Sequence, residues 1–114
     1  MIELKTKEFD LRTTADKIAF LSKEPLVQEY MVCLIVGVGM ACTGEPTYND
    51  LMQTLLDAGT HVKFKTPTGL DTVVNRNCLF IARVNIAQTT VVYAPGNQCV
   101  VAECLEDVEA ALNE

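Results

Sequence analysis

The chain has 114 residues, of which 49% are hydrophobic and 21% are charged, and its formal net charge is −6 at pH 7. This length and composition fit one folded domain with a modest core. The acidic balance excludes a general nucleic-acid binder, because such a protein needs a basic face to displace counterions from phosphates.

The first half of the chain is predicted to be helical. A helix over about 11–23 follows from a threonine cap at Thr13 or Thr14 and an apolar side further on. A second helix is predicted over about 25–43, because proline suits the first turn of a helix. Gly44 is a typical residue at the end of such a helix.

Residues 31–42 form the most apolar stretch and carry no charge. As a helix, this stretch spans only ~18 Å at ~1.5 Å per residue, less than the ~30 Å of a bilayer core. It is therefore predicted to be a buried core helix and not a membrane span. Small residues on one face of a helix allow another helix to pack closely against it. The predicted helix has such a face, which is expected to pack against another helix or another copy of the chain and consists of Cys33, Gly37, Ala41 and Gly44.

A third helix is predicted over 47–58, where Thr47 and Asp50 resemble a capping box and Gly59 ends the apolar period. Beyond it the period changes from helical to alternating, which is typical of strands. Strands are predicted at 61–65, 71–74, 79–84, 89–93 and 98–102, with a closing helix over 105–112. The prediction is an α+β single domain without an internal repeat. Its helical half (1–59) precedes a half (60–114) made of a four- to five-stranded antiparallel β-meander and the short C-terminal helix.

Two predicted strands are apolar at successive positions. Residues 79–82 and 91–92 have this pattern, which is typical of strands covered on both faces. One face is assigned to the helices of the chain itself. Because the other face then needs a further layer, we expect a homo-oligomer.

Motifs of catalysis are missing from the sequence. The dinucleotide fingerprint fails because Cys42 stands where its third glycine belongs, and Glu45 replaces the lysine of a phosphate loop. His61 is the only histidine, expected at the surface or at the end of a loop, and the five cysteines form no Cys-x-x-Cys pair. We therefore predict no enzyme activity, no metal site and no cofactor. Without a secretion signal in its first residues, the chain is expected to be cytoplasmic and reduced.

A ligand site needs polar groups that converge on an apolar wall. Arg83 is the most suggestive candidate, because it shares a strand face with Leu79 and Ile81 and so needs a carboxylate, an interface or an anion. The alternative to a ligand-binding role is that Arg83 pairs with an acidic side chain of the protein. The complete candidate set on the predicted sheet is Arg83, Arg76, Asn75, Asn77, Lys63, Lys65, Tyr93 and Asn85.

Residues 61–112 resemble the FlbD-type small proteins found with bacterial flagellar genes. The matching stretches are 68–69, 72–75, 79–81, 89–92, 96, 100–103 and 105–108. The resemblance implies a β-meander with a C-terminal helix and no catalysis, and it has no counterpart for residues 11–58. The predicted architecture is also similar in outline to phage anti-defence sponges that sequester cyclic nucleotides, without a shared motif.

The leading hypothesis is a non-enzymatic, homo-oligomeric binding protein whose ligand or partner lies at a subunit boundary near the sheet. One alternative is a sponge for a signalling cyclic nucleotide, with Arg76 or Arg83 on a phosphate and Tyr93 or Phe80 on a base. Another is an acidic adaptor or inhibitor that docks on a second protein. We expect no membrane partner.

Overall fold

The computed structural model describes residues 1–78, 80–84 and 89–114. Its N-terminal part consists of strands, where the sequence predicts helices over 11–23 and 25–43. These strands are β1 (Ile2–Lys5), β2 (Asp10–Thr13), β3 (Ile18–Ser22), β4 (Tyr30–Leu34) and β5 (Gly39–Cys42). Both helix predictions are wrong, and so is the predicted fold class, because the described residues are mostly β with ten strands and two helices.

Consecutive burial explains why 11–23 is not a helix. The four residues 18–21 are all buried, and an amphipathic helix buries only one side. A strand in the middle of a sheet buries both of its faces, and β3 has this position. A short 3₁₀ turn, Ala15–Lys17, separates it from β2.

The apolar stretch 31–42 is a hairpin whose turn is open to solvent. Val36 and Val38 flank Gly37 and are 71% and 51% exposed. Gly37 has φ +100°, and a Cβ atom there would lie 2.7 Å from the carbonyl oxygen of Pro95. Gly37 thus permits a close approach of this turn to the turn at Pro95. The close approach is within one chain and does not involve another helix or another copy. The helix face predicted from Cys33, Gly37, Ala41 and Gly44 does not exist.

The rest of the chain follows the predicted element order more closely. Helix α1 (Tyr48–Asp57) has its predicted cap, with Asp50 N donating to Thr47 Oγ1 at 3.2 Å. The remaining elements are β6 (His61–Lys65), β7 (Asp71–Asn75), β8 (Phe80–Val84), β9 (Thr89–Ala94), β10 (Asn97–Val101) and α2 (Leu105–Leu112). However, β6 to β10 are not one meander, because β6 and β7 join the N-terminal strands.

Three sheets organise the described residues. An antiparallel five-stranded sheet has the order β5-β4-β3-β7-β6, a three-stranded sheet has the order β10-β9-β8, and β1 pairs with β2 alone. The two halves of the chain meet where β3 pairs with β7, with Phe20 opposite Val74. The central sheet therefore contains strands from both halves.

The chain covers both faces of this central sheet itself. On one face, Leu51 and Leu55 of α1 pack into a core with Val32 and Val73. On the other, Phe20 belongs to a second core that includes residues of β9, β10 and α2. The strands on which the homo-oligomer expectation rests are β8 and β9, and these belong to the three-stranded sheet, so the homo-oligomer stays a prediction.

The chain also repeats one arrangement of five strands and a helix, contrary to the expectation of no repeat. Strands β1 to β5 and α1 correspond in order to β6 to β10 and α2. In each repeat the first two strands form a hairpin and the next three a meander, all antiparallel. We refer to these two parts as the first and the second repeat.

Equivalent hydrogen bonds support this correspondence. Thr6 Oγ1 accepts from the backbone N–H of Phe9 at 3.1 Å, and Thr66 Oγ1 accepts from that of Leu70 at 3.1 Å. The carbonyl oxygens of the lysines before these threonines accept from the chain just after the meander, at Thr43 N (3.0 Å) and Ala102 N (2.7 Å). The two repeats therefore share their local geometry as well as their element order.

None of the helices in the described part of the chain is long and apolar enough to cross a membrane.

Candidate functional site

A cavity of about 660 Å³ lies between the two repeats, beside the central sheet. Its walls come from the connection between β3 and β4, the start of α1, and the loop end of the β6–β7 hairpin. The lining residues are Lys23, Leu26, Val27, Gln28, Gly44, Thr47, Tyr48, Asn49, Lys65, Gly69, Leu70 and Asp71. Small-molecule sites typically enclose about 300–1,000 Å³, so this cavity has the size of a ligand site.

The charge of the cavity is opposite to that of the whole chain. Its charged lining residues are Lys23, Lys65 and Asp71, so its sum is positive in a chain of −6. Lys65 Nζ lies 2.8 Å from Asp71 Oδ1, and this hydrogen bond holds the pKa of Asp71 below its ordinary value. Lys23 has no ion pair within the described residues and is the cation available to a ligand.

The connection between β3 and β4 presents apolar side chains to solvent at the rim. Leu26 is fully exposed, Val27 is 44% exposed, and both line the cavity. Leu26 has φ +68° and is the one residue other than glycine with positive φ in the described ranges. Such a backbone costs an L-residue about 1–2 kcal/mol. Residues with strained backbone cluster at functional sites in proteins.

The amino end of α1 forms a polar wall of the cavity. Thr47, Tyr48 and Asn49 line it, and backbone N–H groups at a helix start attract anions. The hydroxyl of Tyr48 donates to the carbonyl oxygen of Asp71 at 2.6 Å. This bond ties the first repeat, through α1, to the hairpin of the second repeat and fixes the cavity wall.

The arginines predicted to bind a ligand already have protein partners. Arg76 donates from Nη1 to the carbonyl oxygens of Ala111 (3.1 Å) and Glu114 (3.2 Å). Arg83 forms an ion pair with Glu106, which agrees with the alternative that Arg83 pairs with an acidic side chain. These contacts place both guanidinium groups against α2 and away from the lining of the cavity.

The other predicted site residues are dispersed. Asn75 is buried and donates to the carbonyl oxygen of Ile18 at 2.9 Å, while Asn77 and Lys63 are exposed. Tyr93 stacks on Phe80, with ring centroids 4.4 Å apart. Asn85 lies outside the described residues. Of the predicted ligand-binding set, only Lys65 lines the cavity, and Gly44 of the predicted packing set lines it too.

His61 is the first residue of β6 and so lies at the end of a loop, one of the two predicted positions, but it is buried in the core and not at the surface. It is 3% exposed, with Nε2 2.8 Å from the carbonyl oxygen of Ile18 and Nδ1 2.7 Å from Thr60 Oγ1. Because a carbonyl only accepts, Nε2 carries the proton and the Thr60 hydroxyl donates to Nδ1. Burial lowers the pKa of His61 to about 4, so the ring is neutral and structural.

Four of the five thiols, those of Cys33, Cys42, Cys78 and Cys99, have a pKa that burial raises. All five cysteines are free, and burial raises the pKa of Cys33 to about 11 and that of Cys99 to about 12. A reactive cysteine needs a lowered pKa instead. Across the described ranges, no group of three or more His, Cys, Asp or Glu is arranged to hold a metal ion.

Sequence reasoning missed the connection between β3 and β4 as part of the site. Leu26 and Val27 stand between charged residues after Pro25, and the helix prediction placed them at the start of the helix over 25–43. An apolar pair with a proline before it and acids on both sides fits an exposed loop better. That signal was available.

No protein-family model matches this chain, and comparison with curated proteins and with solved structures finds no similar protein. The likeness of residues 61–112 to FlbD-type proteins therefore stays a prediction, as does the likeness to sponge proteins.

Proposed function

We propose that this chain is a non-catalytic binding protein that takes a small ligand with an apolar part and an anionic group in the cavity between its two repeats. The observation that carries the proposal is the combination of a cavity of about 660 Å³ with a positive lining in an acidic chain. The anionic group lies against Lys23 and the start of α1. The apolar part lies against Leu26, Val27 and Leu70.

The absence of catalysis in this proposal follows from the chemistry of the candidate groups. The only histidine is neutral and bonded on both nitrogens. The shifted thiols have raised pKa values, and the cavity carboxylate of Asp71 is bonded to Lys65. A site of this kind binds and orients, but it offers no activated nucleophile.

A cyclic nucleotide is one ligand with the required chemistry, and the sponge alternative is kept in this form. Its phosphate would contact Lys23 and the backbone N–H groups of α1. Arg76 and Arg83 are occupied by carbonyl groups and by Glu106, and Tyr93 and Phe80 stack on each other. The adaptor alternative involves other surfaces and stays a prediction.

Native mass spectrometry of the purified chain is the first test, because it reports any co-purified small molecule. A panel of mononucleotides, cyclic nucleotides, dicarboxylates and fatty acids is then screened by thermal shift. We expect at least one member to raise the melting temperature at micromolar concentration. A chain that co-purifies with nothing and responds to no member of the panel contradicts the proposal.

Matched lysine variants assign the site. Lys23→Ala should weaken binding of the identified ligand by at least about tenfold, because a charge-assisted hydrogen bond contributes about 1.5–3 kcal/mol. Lys17→Ala removes a similar charge from an exposed position outside the cavity and should leave the affinity within about twofold. Equal losses in both variants would indicate general electrostatics and not this cavity.

A further inference from the structure

Equivalent strand edges of the two repeats differ in whether they have a partner. In the central sheet, β3 of the first repeat pairs with β7 of the second. The counterparts of these two strands are β8 and β2. Within the described residues, β8 pairs only with β9 and β2 pairs only with β1, so each leaves one edge unpaired.

We propose that these two edges join between chains: β2 of one copy pairs antiparallel with β8 of a second copy, as β7 pairs with β3 inside each chain. An unpaired strand edge is a ready template for another strand. The pairing inside the chain shows which strand of this fold suits that template. The occupant is therefore a second copy of the same chain.

The register follows from the pairing inside the chain. Phe20 is opposite Val74, and the corresponding residues of the other repeat are Phe80 and Thr13. In an antiparallel pair, each step forward on one strand is a step back on the other. The proposed contact therefore places Thr13 opposite Phe80, and Asp10 at the far end of β2 opposite Arg83.

Charge complementarity supports this register. Counted three residues along each strand from Phe20 and Val74, the equivalent positions inside the chain are Lys23 and Asp71, which line the same cavity, although Asp71 forms its ion pair with Lys65. The counterpart pair between chains is Arg83 and Asp10, again a cation with an acid. Both residues are exposed, and Arg83, which forms an ion pair with Glu106 of its own chain, would contact Asp10 of the second copy as a further acid.

The exposed apolar surface supports it as well. Phe20, which lies at the internal junction, is 1% exposed, whereas its counterpart Phe80 is 51% exposed. Phe9, the residue before Asp10, is 50% exposed. Pairing of β2 with β8 would bring Phe80 into a position like that of Phe20 and remove apolar surface from water.

The assembly is closed when each copy pairs both of its free edges, that of β2 and that of β8. A two-fold dimer would contain two identical β2–β8 pairs, while a head-to-tail arrangement would continue to larger assemblies. Within one chain, β2 is held on the first core, where Leu4 and Leu11 of its hairpin pack. The proposal is independent of the ligand cavity, because none of the cavity-lining residues belongs to β2 or β8.

Charge reversal with complementation between chains is the test, read by sedimentation equilibrium over a range of micromolar concentrations. Asp10→Lys alone and Arg83→Glu alone place like charges opposite each other in every copy of the contact. We expect each to weaken self-association at least about tenfold. In an equimolar mixture of the two variants, every contact again joins opposite charges, so the mixture should associate within about threefold of the unmodified chain.

Glu109→Lys is the matched control, since it makes the same charge change as Asp10→Lys at an exposed position of α2 and should leave association unchanged. Far-ultraviolet circular dichroism verifies that each variant is folded. A monomer at all concentrations would overturn the proposal. So would self-association that ignores both reversals, or a mixture of the two variants that fails to associate.

Discussion

The buried imidazole of His61 makes the stability of the fold depend on pH. Its folded-state pKa is lowered to about 4 from an ordinary value of 6.5. Between these values the unfolded chain binds a proton that the folded chain does not bind, so the free energy of unfolding falls as the pH decreases. The loss from this residue should reach roughly 1 kcal/mol by about pH 5.5 and approach about 3 kcal/mol near pH 4.

Urea denaturation at pH 7 and at about pH 5.5 measures this effect. His61→Gln keeps a polar side chain but does not titrate, so its free energy of unfolding should change less between the two pH values. Carboxylates contribute equally to the pH dependence of stability in both proteins. The difference between the two proteins in how much the free energy of unfolding changes with pH is therefore due to His61. Parallel slopes for the two proteins would show that the ring is accessible to protons in the folded state.

The backbone of Leu26 links stability to binding at a single residue. Because its φ is +68°, Leu26→Gly should raise the free energy of unfolding by about 0.5–1 kcal/mol, since the relief of about 1–2 kcal/mol of steric cost exceeds the entropic cost of about 0.5–1 kcal/mol that glycine adds. The same change removes an apolar wall of the cavity and should weaken ligand binding. Stability gained with affinity lost is the expected trade-off at a strained functional residue.

Val27→Gly is the matched control, because Val27 lines the same cavity without a positive φ. It should weaken binding but lower the free energy of unfolding by about 0.5–1 kcal/mol. Thermal denaturation of both variants distinguishes strain relief from simple loss of a side chain. If Leu26→Gly lowered the free energy of unfolding as much as Val27→Gly does, the leucine would not be strained.

At the scale of elements, Arg76 holds the carboxyl end of α2. Its Nη1 donates to the carbonyl oxygens of Ala111, Leu112 and Glu114, and its Nε donates to that of Gly59 at 3.2 Å. A cation there also complements the negative end of the helix. Arg76→Ala should therefore lower the free energy of unfolding by about 1–2 kcal/mol and increase amide hydrogen exchange in α2.

Ligand binding in the cavity should be unchanged in Arg76→Ala, because this residue does not line the cavity. Arg76→Lys keeps the charge but loses the fork of donors, and its stability should lie between those of the other two proteins. If Arg76→Ala lost ligand affinity while exchange in α2 stayed the same, the ligand-binding role predicted from the sequence would be correct instead.

Local signals in the sequence identified some elements and misassigned others. The helix at 47–58 was predictable, because its cap, apolar face and terminal glycine lie within one short segment. For 31–42, a continuous apolar run fits a buried helix and a buried hairpin equally well. Its valines and isoleucine favour strands, and its glycines favour a turn. The helix prediction for this stretch gave more weight to a helical spacing of its small residues than to these β signals.

At the scale of the whole molecule, the arrangement of strands was beyond local reasoning. The pairing of Phe20 with Val74 joins segments that are far apart in the sequence. The alternation of apolar and polar residues within a strand does not indicate which other strand it pairs with. The cavity depends on this pairing, because it collects residues from both repeats. The repeat itself left a trace in the sequence: Lys5-Thr6 corresponds to Lys65-Thr66, and Phe20 to Phe80.

The shared central sheet predicts that the two repeats unfold as one unit. Phe20 belongs to the first repeat but packs in the core of the second, so neither repeat has a complete core alone. Phe20→Ala should lower the free energy of unfolding by about 3–5 kcal/mol. Amide signals from α1 and α2 should still disappear at the same urea concentration, because loss of the β3–β7 junction exposes both cores.

Phe80→Ala is the matched variant at the equivalent place of the second repeat. Because Phe80 is half exposed and stacks only on Tyr93 within the described residues, its loss should lower the free energy of unfolding by about 1 kcal/mol in dilute, monomeric protein. Separate transitions for α1 and α2 would show that each repeat folds alone. Equal losses in the two variants would show that Phe80 packs in a core of the single chain, and the exposed apolar surface that supports the β2–β8 contact would then be lost.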